Sequence, residues 1–171
     1  MRKWYENRWV AMIWAVARIW LGVQWLQAGW HKIGAFDATG FLTGTMAKAG
    51  GEAPIVQGWY ATFVETFALP NVKLINILIP WGEVLVGIGL IVGALTLPAL
   101  IAGAFMNLNF LLAGTISTNP VLLAVAMILL FVVKGTAYYG VDRFLVPATI
   151  NHFKNKGILK KCVVQQCINK N

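Results

Sequence analysis

The sequence predicts an all-α fold: a four-helix transmembrane bundle with an extracytoplasmic loop that carries short interfacial helices. Three observations lead there. Four apolar stretches, Trp9 to His31, Val72 to Leu95, Leu97 to Thr115 and Val121 to Tyr139, each come close to the about 20 residues that cross a ~30 Å hydrocarbon layer at ~1.5 Å per residue. Hydrophobic residues make up 58% of the chain, and the mean hydropathy is +0.68. A soluble bundle keeps a polar face on each helix, whereas Ile77 to Leu95 and Val121 to Val133 have almost none. In a chain of 171 residues this leaves room for one compact membrane domain, residues 1–147 with an outer loop at 32–71, followed by a basic tail at 148–171.

The first span follows Arg2, Lys3 and Arg8 and is expected to be retained. Arg18 interrupts its apolar run, and no small-residue cleavage site precedes Lys32, so it does not read as a cleaved signal peptide. The outer loop opens with a Gly-, Ala- and Thr-rich stretch from Gly34 to Pro54. Thr39 is a candidate cap for a short helix around Phe41 to Ala49, ended by Gly50 and Gly51. From Ile55 to Phe67 the residues Ile55, Trp59, Phe63 and Phe67 recur four apart beside Val56, Tyr60 and Val64, with Gln57, Ala61 and Glu65 opposite. Such an amphipathic stripe lies flat in the outer interface or caps the bundle as a lid. Pro70 and Pro80 bracket the entry to the second span, and Pro98 and Pro120 open the third and fourth, where a first-turn proline costs little.

Basic residues flank the outermost spans on one side: Arg143, Lys154, Lys156, Lys160, Lys161 and Lys170 follow the last. In the long loop Lys32, Lys48 and Lys73 are offset by Asp37, Glu52 and Glu65. The expected topology is multi-pass in a bacterial inner membrane with both termini cytoplasmic. The net charge of +8 is then a topology signal with attraction to anionic lipid. No basic face with interleaved aromatics supports nucleic-acid binding. Cys162 and Cys167, spaced C-x4-C in the tail, fit neither a redox pair nor a zinc pattern and read as free thiols. The chain has no metal, haem or flavin motif; His31 and His152 are expected on opposite sides of the membrane.

Three spans each carry one ionisable residue well inside, Arg18, Glu83 and Lys134, and a charge in hydrocarbon is a functional candidate by default. Counted from the expected helix ends, Arg18 lies roughly 13 Å and Glu83 roughly 16 Å deep from opposite sides, so an Arg18–Glu83 ion pair near midplane is the economical arrangement. Lys134, roughly 9 Å deep, snorkels or joins the pair. With Lys134 the cluster has one excess positive charge and invites an anion, or a quinone whose reduced oxygens develop negative charge. The alternative is a pair that only fixes helix register. At ~100° per residue, Arg18, Gly22, Trp25, Gly29 and Lys32 share one side of the first helix, and Gln24, Gln27 and His31 fall nearly opposite, with Ile19, Val23, Leu26 and Ile33 expected toward lipid. Glu83 shares a stripe with Gly87, Leu90 and Ala94, beside a small-residue seam of Gly82, Gly89 and Gly93. Asn107 shares a face with Gly103, and Lys134 with Leu130 and Tyr138. His31, next to Trp30 at the outer end, is either a proton-passing group or an aromatic-belt neighbour.

Taken together, Arg18-Ile19-Trp20-Leu21-Gly22, then Ala28-Gly29-Trp30-His31-Lys32, Trp81-Gly82-Glu83 with Gly87, Gly89 and Gly93, the run Asn107 to Gly114, and Ser117 to Pro120 resemble the DoxX/DoxD family of small bacterial membrane proteins. The likeness covers roughly Trp9 to Pro147. It implies a four-helix membrane protein, and some members are the large subunit of thiosulfate:quinone oxidoreductase, which joins two thiosulfates to tetrathionate and sends the electrons to quinone. The resemblance falls on Arg18, Gly22, Gly29, Lys32 and Glu83, and charge and depth make His31, Lys32 and Glu83 the candidate catalytic residues. Arg18, Trp30, Asn107, Lys134 and Tyr138 are the candidate quinone- or substrate-binding residues, and quinone is the expected electron acceptor. The expected partners are the bilayer and a small second subunit or soluble redox protein, with homo-oligomers compatible. Two other readings stand beside the enzyme: a noncatalytic membrane subunit that docks a redox or thiol-stress partner, and a small carrier lined by Gln24, Gln27, Asn107 and Asn109, which lacks the expected internal repeats.

Overall fold

A computed structural model of the protein describes residues 8–50, 53–136 and 139–143, without the side chain of Lys134. All regular structure among these residues is helical: α1 Arg8–Lys32, α2 Ala38–Ala49, α3 Gly58–Phe63 running on as a π-helix Val64–Ala68, α4 Val72–Val92, α5 Thr96–Leu112, α6 Asn119–Phe131 and α7 Val133–Thr136. The first helix matches its expected span to a residue at each end. The second ends at Val92 because Gly93 takes a left-handed backbone, φ 69°, which only glycine adopts without cost. The fourth expected span is interrupted: Val132 leaves helical geometry, so α6 and α7 replace one continuous helix. Pro80 lies inside α4 and is buried, where it withholds an N–H from the ladder, rather than at its entry.

The helices α1, α4, α5 and α6 pack in a ring, each against the next. Leu21, Trp25, Val86, Leu90, Leu100, Leu122, Ala126 and Leu129 fill its centre. The closest approach is α1 on α4, and glycines permit it. A Cβ on Gly87 would lie 2.6 Å from the Leu26 backbone nitrogen, one on Gly29 2.8 Å from the Pro80 carbonyl oxygen, and one on Gly22 3.0 Å from the Gly87 carbonyl oxygen. Leu26 therefore packs on α4 instead of facing lipid. The expected seam of Gly82 and Gly89 meets α5 instead, at Met106 and Ala99.

Outside the ring the surface is apolar. Ile13, Ile19, Leu74, Ile77, Leu78, Leu85, Ile101, Phe105, Val121 and Phe131 are all exposed. Two helices, α1 and α4, are long and apolar enough to cross a membrane, with only 33% of each apolar window buried. The core helix of a soluble protein would hide most of that surface.

Segment 33–71 caps one end, the loop end. Its own small core joins Ala38, Leu42, Val56, Tyr60, Val64 and Ala68 to Ala113. The N-cap of α2 is Asp37, whose carboxylate accepts from the Thr39 N–H at 2.9 Å. Thr39 thus donates a backbone N–H to the cap and is not itself the capping residue. The Tyr60 hydroxyl donates to the Asn109 carbonyl at 3.0 Å, tying α3 to α5. Trp59, Phe63 and Phe67 point outward, with the last two rings stacked 5.5 Å apart. The amphipathic stripe therefore buries Val56, Tyr60 and Val64 in the cap's own core and leaves its aromatic row exposed, and Ala61, expected on its polar side, is buried.

Candidate functional site

Beneath that cap the bundle encloses a cavity of about 440 Å3. The α1 helix contributes Gln24, Trp25, Gln27, Ala28, His31 and Lys32, which span an arc of ~160° at ~100° per residue. Both of the faces that the helical phase sets apart thus look into one space. Glu83 comes from α4, Asn107 and Phe110 from α5, Phe36 and Phe41 from the cap, and Thr115, Ser117, Thr118, Asn119 and Leu122 from the turn into α6. Gln27, His31, Ser117 and Thr118 are exposed and form the rim, while Glu83 and Asn107 form the buried floor.

The ion pair inside is Lys32 with Glu83: Nζ donates to Oε1 at 2.5 Å. Helix packing makes it. Gly29 lets α1 lie against Pro80 and Val84, and the two long side chains, set on either side of that contact along antiparallel helices, reach across it to meet. The lysine keeps 31% of its side chain exposed and the glutamate 1%. The same ammonium sits 5.2 Å from the Phe110 ring centre and 5.7 Å from that of Phe36, a cation–π arrangement on two sides. Glu83 Oε2 and both amide atoms of Asn107 are buried without a hydrogen-bond partner among the described residues. Buried polar atoms of this kind mark a site for water or ligand, because natural interiors leave few unpaired.

The roof is held by short contacts. The Phe36 N–H donates to the Lys32 carbonyl at 3.0 Å, and the Ala38 N–H to Asn76 Oδ1 at 2.7 Å. Phe41 meets Phe110 edge-on at 6.1 Å. The Thr39 N–H holds the Asp37 carboxyl below its ordinary range, and burial pushes the Tyr60 phenol up.

Arg18 does not pair with Glu83. Antiparallel α1 and α4 are in register such that Gly29 meets Pro80 and Val84, Gly22 meets Gly87 and Ile91, and Arg18 meets Gly93. Arg18 and Glu83 are therefore about ten residues apart along the bundle, ~15 Å. Depths counted from each helix's own end assume level ends, and α4 stops level with the middle of α1. The guanidinium is 1% exposed and closes the opposite end, the turn end. There Nη2 donates to the Tyr139 carbonyl at 3.0 Å, and the Asp142 carboxylate exerts its Coulombic field on it. Asp142 also accepts from the N–H groups of Leu95 and Thr96, each at 2.7 Å, and returns its own N–H to the Gly93 carbonyl at 2.8 Å. It caps α5 from beyond α7.

Of the residues singled out in the sequence, His31, Lys32, Glu83 and Asn107 meet at the cavity. Arg18 is remote, and Trp30 is 68% exposed and outside the lining. The side chain of Lys134, and Tyr138, Cys162, Cys167 and the tail, lie outside the described residues. Asn109 is taken up by Tyr60 and by its own bond to the Phe105 carbonyl. Sequence reasoning missed the aromatic walls Phe36, Phe41 and Phe110 and the polar turn at 115–119 as lining. Four hydroxyl or amide residues in five, Thr115 to Asn119, were the available signal.

Fold and site together define a class: an all-helical protein with two helices suited to crossing a membrane and a cavity at one end of its bundle, floored by a buried ion pair and an unpaired amide. No protein-family model, curated protein or solved structure matches the chain.

Proposed function

We propose that the chain is a four-span membrane protein with both termini cytoplasmic, and that its cavity receives the head ring of a membrane quinone in a reaction that draws electrons from a small sulfur compound. The observation that carries this reading is the cavity itself, within the roughly 300–1,000 Å3 typical of ligand sites and placed in a bundle whose outer surface is apolar. A quinone head needs flat apolar walls and hydrogen-bond donors for its oxygens. Trp25, Phe36, Phe41 and Phe110 supply the walls, and the Asn107 amide and Lys32 ammonium are the donors. When bound, a quinone accepts two electrons and two protons. The residues of this chain would bind and orient it and exchange protons with water at His31 on the rim. The likeness to the DoxX/DoxD family supports the sulfur donor.

One observation favours a partner subunit over catalysis by this chain alone. Among the described residues no cysteine lines the cavity, so these residues offer a sulfur compound no thiol to react with. The noncatalytic alternative, a membrane subunit docking a soluble redox or thiol-stress protein, rests on the same fact. The deciding assay is reduction of a short-chain quinone by thiosulfate with purified protein, alone and with membrane extract, against Lys32→Ala and Glu83→Gln. Quinone binding that both substitutions weaken supports the cavity. Turnover unaffected by either removes it.

A further inference from the structure

The geometry points to a cavity that takes an uncharged headgroup and turns away anions, so that any anionic electron donor must meet the protein elsewhere. This rests on the reading of the cavity as the ligand site and narrows what enters it. Lys32 and Glu83 are the charged side chains in the lining, and they neutralise each other through a direct bond. The remaining sides of the ammonium face the rings of Phe36 and Phe110, which satisfy a cation without adding charge. Every other polar lining group, apart from rim His31 and the indole N–H of Trp25, is an amide or a hydroxyl, among them Gln24, Gln27, Asn107 and Asn119. A dianion drawn toward Lys32 would meet a carboxylate bonded to that same lysine, so attraction and repulsion nearly cancel at similar distances. It would still lose its hydration on entering. An uncharged ring with polar oxygens loses little on entry and gains both the walls and the amide floor.

The test is equilibrium binding to the full chain in detergent at pH 8, using decyl-benzoquinone as the neutral probe and thiosulfate as the anionic one. The expected result is that wild type binds the quinone and that excess thiosulfate does not displace it. Glu83→Gln removes the neutralising charge and leaves Lys32 free, and should raise thiosulfate affinity at least about tenfold. Displacement of quinone by thiosulfate in wild type overturns the inference while leaving the cavity reading intact, and so does a folded Glu83→Gln that gains no affinity for thiosulfate. The wild-type competition decides the matter even if that variant fails to fold. Failure of wild type to bind the quinone removes the cavity reading and the inference with it.

Discussion

Replacing Asp142 by Ala should weaken the fold more than any other single change outside the hydrophobic centre. Asp142 is 6% exposed and holds two backbone N–H groups at 2.7 Å, at a helix start where Leu95 already sits at positive φ. Loss of an ordinary N-cap costs about 0.5–2 kcal/mol, and hydrogen bonds to a charged group about 1.5–3 kcal/mol. With two such bonds lost and the Arg18 guanidinium deprived of its carboxylate, the expected cost is on the order of 3–5 kcal/mol. Asp142→Asn keeps one acceptor but turns a donor toward a backbone donor, and should fall between wild type and Ala. Unfolding by SDS titration in mixed micelles, followed by circular dichroism, gives the difference. Arg18→Met combined with Asp142→Ala should cost less than the sum of the two single changes, because the charges are removed together. If Asp142→Ala unfolds within about 0.5 kcal/mol of wild type, the range of a neutral surface change, the clasp contributes nothing and the reasoning is wrong.

Gly87→Ala and Gly29→Ala should each destabilise by about 1–3 kcal/mol or more in the same assay, since the new methyl meets backbone atoms that cannot yield. Gly44→Ala, in α2 with nothing within 4 Å, should stabilise by up to about 1 kcal/mol. Acid should loosen the start of α2: the Asp37 carboxyl is held below its ordinary value, so its contribution is whole above the unfolded value and is lost as pH falls through the lowered one. Amide exchange at Thr39 measured down through pH 3 reads this, and Asp37→Asn should remove the dependence. At the other extreme Tyr60 is raised above 10.0, so its share of stability is whole below that value and is lost as pH rises through the raised one. Tyr60→Phe should cost about 1 kcal/mol through the lost bond to Asn109 and abolish the alkaline loosening, as followed by proteolysis of the cap.

Helices were legible from the sequence because apolar runs and their punctuation are local properties. The extent of α1, Pro120 at the start of α6 and the four-residue recurrence of Trp59, Phe63 and Phe67 all follow from spacing. Partnership between helices was not legible in the same way. It depends on axial register, which is set by where Gly22, Gly29 and Gly87 let two backbones touch, and an offset of a few turns moved Glu83 from Arg18 to Lys32. Three glycines in the right places were visible, but the sequence alone does not say which of the chain's 17 glycines meet a partner helix. The role of Asp142 was hidden for a related reason: its partners are 46 and 47 residues away, and nothing local distinguishes it from a solvated acid beside Arg143. Glu83 and Asn107 stood out in the sequence because polar side chains in apolar runs need a reason to be there. Its aromatic walls look like any other apolar residue until the helices are assembled.

The clasp at the turn end also imposes an order of assembly. Residues 139–143 leave the ribosome long after the hairpin they close, so α4 and α5 enter their surroundings with the Leu95 and Thr96 amides bare and Arg18 without its acceptor. Folding from the N-terminus, the usual sequence for a nascent chain, therefore halts one step short until the last of these residues arrives. During that interval the half-built bundle carries a cation without its acceptor, a defect that completed synthesis erases.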